Sequence, residues 1–347
     1  MFIRNCWYVI AWEHEVPADG LFTRKVLGEP ILLLRTAAGA VVALEDRCCH
    51  RLAPLSTGQR EGDCVRCGYH GLKFDTQGQC VEVPGMASVP AHLKVRTYPV
   101  QVKNRWVFVW LGDAARADPA LLPDNFSNAH PEWANVPDYL HYNVPYLLIC
   151  DNLLDFSHLS YVHARTLGGT PAIARARPTI EKTLYTDGSQ SGIKVSRHVP
   201  DVPPSPFWKS FLPGIAGQFN RWFIYDFLLP GTLLMHSGGR PVGAAADDDS
   251  QAVHLHSCQT LTPETETSTH YFFQQSCRAS YLEAAPNTAA LLHLALLQAF
   301  EEDRAMITAQ WRNLATDPTR AMAALPFDAA LGQFRALVER RVKAEAV

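Results

Sequence analysis

Two short segments of this chain each pair a thiol with an imidazole: Cys48-Cys49-His50-Arg51 and Cys67-Gly68-Tyr69-His70-Gly71. Two Cys and two His are the ligands of a two-iron, two-sulfur cluster in which thiolates hold one iron and imidazoles the other. Cys48 and His50 stand two apart, so an extended backbone sends both side chains to one side and Cys49 to the other. That selects Cys48 as the ligand. Gly68 and Gly71 suit a tight loop that brings backbone N–H groups toward sulfide. The same four side chains also satisfy a Cys2His2 zinc site, and a shifted register, Cys64-x-x-Cys67-x-x-His70, would leave Cys48 structural. Spacing alone leaves these readings open. A second metal-type constellation bears on the choice.

That constellation begins at Asp151-Asn152-Leu153-Leu154-Asp155-Phe156-Ser157-His158 and continues to Tyr161-Val162-His163. A helix here would place Asp151, Asp155 and His158 on one face, by steps of four and three. His163 lies five beyond His158, about 140° round an ideal helix. The two imidazoles therefore reach one metal only if the helix ends or distorts between them. A mononuclear iron needs a third, anionic ligand, and Asp303 is the candidate. Its helical neighbours at three and four positions, Ala299, Phe300, Met306 and Ile307, are apolar, whereas Glu301 has Gln298 and Arg304 beside it, as on a solvated face. A carboxylate facing an apolar interior costs on the order of several kcal/mol unless it is paired or binds a cation. Two His and one carboxylate make the facial triad of non-haem Fe(II) oxygenases. The alternatives are an amphipathic helix with surface acids over 151–163, and for Asp303 a buried salt bridge to Arg221 or Arg304.

Loops on a β scaffold can hold two Cys/His pairs face to face, and as far as about Gly112 the sequence reads as all β. Ile31–Leu34 and Val41–Leu44 flank Gly39 as a hairpin. Val81–Val83 and Trp106–Trp110 read as further short strands between Pro- and Gly-rich turns. The stretch Gly112–Pro119 marks a boundary, giving domains 1–113 and 114–347. Beyond it, strands are expected at Ile193–His198, Trp222–Leu229, Val253–Leu261 and His270–Gln275, with a loop at Gly238–Ser250. Helices are expected at Thr288–Leu314 and Asp328–Lys343. Strands closed by long helices predict an α+β domain, a sheet packed on helices. Of Trp222, Phe223, Tyr225 and Phe227 on one alternating strand, half are expected as plain core. His254 and His256 read as surface or core histidines rather than ligands.

A length of 347 residues fits two domains, each with its own core. Hydrophobic content of 47% with 19% charged residues is that of a soluble globular chain. The net charge of −3 gives no basic footprint, which argues against nucleic acid. No apolar run reaches the roughly 18 residues of a membrane span and the first residues lack a signal-peptide pattern, so no membrane partner and a cytoplasmic location are expected. Nine Cys, an odd number spread along the chain, predict reduced thiols rather than a disulfide framework. No dinucleotide fingerprint follows a strand, so NAD(P)H would be oxidised by another protein.

The surroundings of the two Cys/His pairs, His50-Arg51-x-x-Pro54-Leu55 and Tyr69-His70-Gly71-Leu72, resemble the Rieske domain of Rieske non-haem iron oxygenases. Arg4-Asn5-x-Trp7-Tyr8 resembles the branch containing vanillate O-demethylase and the dicamba and toluenesulfonate monooxygenases. Asn152-Leu153-Leu154-Asp155 with His158 and His163 resembles the family's iron motif, and Phe300-Glu301-Glu302-Asp303 its carboxylate segment. Cys49 stands where many relatives carry Pro, in this respect like the toluenesulfonate type. The resemblance implies an N-terminal Rieske [2Fe-2S] domain with ligands Cys48, His50, Cys67 and His70, followed by a helix-grip (START-like) catalytic domain. Mononuclear Fe(II) would be held there by His158, His163 and Asp303. It also implies that Asp155 links His158 to His70 of the partner subunit and carries the electron across, with Asn152 in support, in a homotrimer. Leu261–Glu266 followed by His270–Phe273 resembles the substrate-side hairpin. There Gln259 would contact the aromatic acid and Met235 would line the same cavity.

The activity so implied is that of a terminal oxygenase component fed by a separate NAD(P)H-dependent flavin/iron-sulfur reductase. It uses O2 to hydroxylate the methyl group of an aromatic acid. The first expectation is O-demethylation of a methoxylated, vanillate-like acid with release of formaldehyde. The second is benzylic hydroxylation of a toluenesulfonate- or toluate-type acid. Two readings of other classes remain: a zinc-stabilised ligand-binding protein, which gives Asp303 no task, and an electron-transfer protein with a fused ligand-binding domain, which lacks the triad.

Overall fold

Short strands separated by turn residues recur through the first hundred residues. In the computed structural model, which describes residues 2–212, 214–245 and 247–346, the chain forms two compact units. One runs to Leu122 and takes in Thr262–Glu266; the other comprises Pro123–Leu261 and the chain from Thr267 onward. Position 246, inside the loop expected over Gly238–Ser250, lies outside the described residues, as do positions 1 and 347 at the ends of the expected domains.

The first unit holds three small antiparallel sheets. Its expected hairpin is the pair Glu29–Arg35 and Val41–Glu45, in a register that sets Leu32 opposite Leu44 and Leu34 opposite Val42. Strands Gln59–Glu61, Cys64–Arg66, Lys73–Phe74 and Cys80–Glu82 form the sheet that carries the second Cys/His loop. Leu32, Leu34, Leu44, Leu55, Val65 and Phe74 pack into a core that also encloses Cys48 and Cys67. Burying each Leu or Phe there stabilises the fold by roughly 1.5–3 kcal/mol, and the two thiols are held by that packing. The tip Thr262–Glu266 completes this unit through Leu27 N–H to Pro263 O at 2.9 Å and Gly28 N–H to Glu264 O at 2.7 Å. Thr262 Oγ1 donates to Val9 O at 2.6 Å.

The second unit is α+β, a large antiparallel sheet of eight strands with helices packed on it, and the four strands expected there are all present. On Phe219–Leu228 the buried positions are Phe219, Arg221, Phe223, Tyr225 and Phe227, strict alternation that turns Trp222 to the other face. The helices Thr288–Thr316 and Ala329–Glu345 match the two expected ones within a few residues. In the first of them Leu292, Leu296, Ala299, Phe300, Asp303 and Ile307 form the buried stripe, so Asp303 is the one charge on an apolar face. Phe300 seats this helix against Phe273 and Tyr271, with ring centroids 4.8 and 5.0 Å away.

Two expectations need correction. The segment Gly238–Pro241 is not loop but the end of an unforeseen strand, Thr232–Pro241. Its two glycines read as turn residues, yet they serve close approach: a Cβ on Gly238 would lie 2.7 Å from the Trp222 ring, and one on Gly239 2.4 Å from Trp208. Secondly, Asp151, Asp155 and His158 do not share a helical face. The helix Tyr146–Leu154 stops at Asp155, whose Oδ1 accepts from Ser157 N–H at 2.9 Å and starts a 3-10 turn over Phe156–Ser160.

Candidate metal centres and their cavity

The two Cys/His loops have the same backbone construction. Cys48 N–H donates to Ala53 O at 2.8 Å and Leu52 N–H to Cys48 O at 2.9 Å. In the second loop Cys67 N–H donates to Leu72 O at 2.8 Å and Gly71 N–H to Cys67 O at 3.0 Å. Each loop needs a residue in the left-handed region at its fifth position, Leu52 at φ 58° and Gly71 at φ 76°. Glycine adopts that conformation without penalty, which explains the second loop's composition; Leu52 does so at some cost. Arg66 Nη1, donating to Gly71 O at 2.8 Å, ties down the turn.

This repeat brings the Cys48 thiol within hydrogen-bond reach of Cys67. It also sets the His50 and His70 rings 4.6 Å apart, edge to face. The thiols are buried and the imidazoles exposed. Burial, reinforced by the neighbouring Cys67, pushes the Cys48 thiol up to about 11. Cys49 lies outside this pair, packed at the edge of the core and facing Cys80.

One zinc ion would draw all four donors to within about 4 Å of each other, given bond lengths of roughly 2.0–2.3 Å. Among the described residues, the group of three or more His, Cys, Asp or Glu side chains whose donor atoms all lie within 4.8 Å of one another is His158, His163 and Asp303. Cys48, Cys67, His50 and His70 are spread wider, thiols at one end and imidazoles at the other, as a two-iron cluster requires.

The termination of the helix at Leu154 is what allows His158 and His163 to converge. Their rings lie 5.2 Å apart. His158 Nδ1 meets the backbone carbonyl of Asp155, and His163 Nδ1 meets Glu302 Oε2 at 2.8 Å. Both rings thereby turn Nε2 toward Asp303 Oδ1, at 3.6 Å from His158 and 3.1 Å from His163. Asn152 Nδ2 donates to the same oxygen at 3.0 Å. Burial lowers the His158 pKa, favouring the neutral ligand form. At His163 burial pulls down too, but Asp303 and Glu302 outweigh it and the net direction is up. Two imidazoles and a carboxylate facing one point fit a mononuclear iron, and a carboxylate on the far nitrogen is the usual second support of such a His.

Glu302 was not singled out in the sequence. Nothing there separates it from Glu301 except its helical phase beside Asp303. Neither salt bridge considered for Asp303 forms: Arg304 pairs with Glu301, and Arg221 with no carboxylate among the described residues. Met306 is exposed rather than interior. Asp151 belongs elsewhere, accepting from Arg335 Nε at 2.8 Å and so joining two helices. The Asp155 carboxylate holds Ser157, and it is the Asp155 carbonyl that holds His158.

Beside the three ligands opens a cavity walled by Phe156, Leu159, Phe223, Leu255 and Phe300. Met235, Gln259 and Asn152 line it, as do Arg221, Ser237 and Gln275. Gln259 is fixed by donating to Ser257 Oγ at 2.9 Å and by accepting from Tyr271. Trp222, Tyr225 and Phe227 do not line it, leaving Phe223 as the one aromatic of that strand on the wall.

A thiolate/imidazole cluster site and a two-histidine, one-carboxylate iron site in one chain define a Rieske non-haem iron monooxygenase, with a [2Fe-2S] cluster and mononuclear iron as its cofactors. Residues 6–99 match the Rieske [2Fe-2S] domain and residues 142–344 the vanillate O-demethylase oxygenase C-terminal domain, and the chain belongs to that family. It is 44% identical over 348 residues to the iron-sulfur subunit of the toluene-4-sulfonate monooxygenase system of Comamonas testosteroni, covering 99% of this chain and 98% of that protein. It is 37% identical to the oxygenase component of dicamba O-demethylase from Stenotrophomonas maltophilia, over 79% of this chain and 78% of that one. The fold matches the crystal structure of dicamba monooxygenase bound to 3,6-dichlorosalicylic acid with a TM-score of 0.90 at 32% identity, covering 100% and 99% of the two chains. No helix among the described residues is long and apolar enough to cross a membrane.

Proposed function

We propose that the chain is the terminal oxygenase component of a two-component system that hydroxylates the methyl group of an aromatic acid. The observation that carries this reading is the set His158, His163 and Asp303, the last two buried, opening onto a cavity walled largely by apolar side chains. His158 and His163 would hold iron through Nε2 and Asp303 through its carboxylate, while Glu302 and Asn152 fix the orientation of His163 and Asp303. Cys48, Cys67, His50 and His70 would hold the cluster. When bound, the iron supplies O2 activation and the cluster supplies electrons. The residues' own work is positional: Phe156, Leu159, Leu255 and Phe300 exclude water and clamp the ring, with Gln259 and Met235 beside it. Hydroxylation of an aryl methyl ether gives a hemiacetal that collapses to a phenol and formaldehyde, and O-demethylation is the leading reading. Benzylic hydroxylation of an arylsulfonate is the second, favoured by the 44% identical relative.

The exposed rings of His50 and His70 support electron delivery across a subunit boundary, with Asp155 set to meet His70 of the partner subunit in a homotrimer. The electrons would come from a separate NAD(P)H-dependent flavin/iron-sulfur reductase in the cytoplasm. The proposed domain junction just after residue 113 lies ahead of Leu122, to which the first compact unit runs. The test is a panel of methoxybenzoates and methylbenzenesulfonates assayed with a reductase of the family. Equal O2 uptake and formaldehyde release from a methoxylated acid is expected; an alcohol without formaldehyde would select the second reading. No O2 uptake with either class would overturn both.

A further inference from the structure

Arg221 occupies a position where a cation has no evident business. It is the third residue of a strand whose other inward positions are Phe219, Phe223, Tyr225 and Phe227, and it is 5% exposed. Its Nε has no hydrogen-bond partner, and Nη1 reaches only Gly168 O at 3.5 Å. No carboxylate among the described residues pairs with it. The guanidinium rests 4.8 Å from the ring centroid of Trp208 and 5.2 Å from that of Phe223, contacts that partly replace hydration. Burial draws its pKa down to about 10, so it stays cationic at neutral pH.

The other buried arginine of this unit is built differently. Arg197, 3% exposed, donates to Ile173 O at 2.6 Å and Ala176 O at 2.9 Å. Both of these hydrogen bonds run from Nη1 to backbone carbonyls. Arg221, with Nε unpartnered and Nη1 reaching one carbonyl at 3.5 Å, lies on the wall of the cavity that holds the iron site. A buried charge left uncompensated is strongly unfavourable, and a planar fork of N–H donors matches two oxygens of an oxyanion.

We propose that Arg221 is the anion receptor of the cavity: its guanidinium takes the carboxylate or sulfonate of an aromatic substrate, leaving the methyl-bearing end for His158, His163 and Asp303. The missing counter-charge is the substrate's own. This rests on the reading of the chain as a methyl-hydroxylating oxygenase and adds to it the group by which substrates are selected. Neutral aromatics of the same shape leave the guanidinium unpaired and bind poorly.

The test is calorimetric binding to the metal-loaded protein, independent of turnover. The ligands are 4-methylbenzenesulfonate and 4-methoxybenzoate, each beside its neutral amide, and the proteins are wild type, Arg221→Met and Arg221→Lys. Wild type is expected to prefer one or both anions over the matching amide by at least about tenfold. Arg221→Met should weaken the preferred anion by about 10- to 100-fold, the worth of a charged hydrogen-bonded pair, and change amide binding by less than about twofold. Arg221→Lys should recover part of the loss. Which anion responds separates sulfonate from carboxylate recognition. Without ligand, Arg221→Met should melt no lower than wild type, since an unsatisfied charge has been removed. Unchanged anion affinity, or equal loss for anion and amide with a lowered melting temperature, overturns the assignment while leaving the oxygenase reading intact. Wild type that binds no aromatic acid and consumes no O2 overturns that reading itself, and the receptor role with it.

Discussion

Asp303 gathers three polar contacts on one oxygen, from Asn152, His163 and His158, and its removal should dissect the two metal sites. Asp303→Ala is expected to abolish turnover and lower iron from about three to about two per subunit. The visible absorption of the cluster should persist; its loss would mean that the two centres are not independent. Asp155→Asn is expected to keep both metals and slow electron delivery, so single-turnover rates at the wild-type level would remove Asp155 from the path. At this scale the sequence was informative wherever a residue contradicted its surroundings: Asp303 stands among apolar neighbours, and Cys48 and His50 are paired by strand spacing. It was uninformative for Glu302 and Arg221. Each is an ordinary charged residue by composition, and its task depends on what another element places opposite it.

The elements were legible where one periodicity ran unbroken. The two long helices and the four strands of the second unit follow from apolar spacing, while Thr232–Pro241 escaped notice because Gly238 and Gly239 imitate a turn. On the outer face of the same sheet, His236 stands opposite His256 across the strands and lies 3.0 Å from His254 by their ring nitrogens. Asp249 approaches His254 at 3.2 Å, with Arg240 and Arg278 nearby. Trp222 and Trp133 pack on the cluster. Burial first, then the neighbouring histidines, pushes His236 and His256 down to about 4, against about 6.5 in an unfolded chain. Between those values the unfolded state binds more protons, so stability is full above about pH 6.5 and is lost as pH falls toward 4. The melting temperature should drop over that interval, and His236→Phe should flatten the drop. An equal drop in the variant would place the acid sensitivity elsewhere.

For the molecule as a whole, the sequence revealed two kinds of iron site and a change from all-β to mixed α and β, since ligand spacing and period survive without tertiary knowledge. What it did not reveal is that the first unit is discontinuous. Thr262–Glu266 supplies acceptors for Leu27 and Gly28 and a donor to Val9, although the unit otherwise ends at Leu122. A gene truncated after that residue should therefore yield a poorly stable fragment, with faster amide exchange at Leu27 and Gly28 than in the full chain; equal protection would show the tip to be dispensable. During synthesis the ribosome must read from Leu122 to Thr262 before the final piece emerges, on the order of ten seconds at typical elongation rates. The cluster-bearing unit, begun before the larger one, is thus completed only after most of that larger unit has been made.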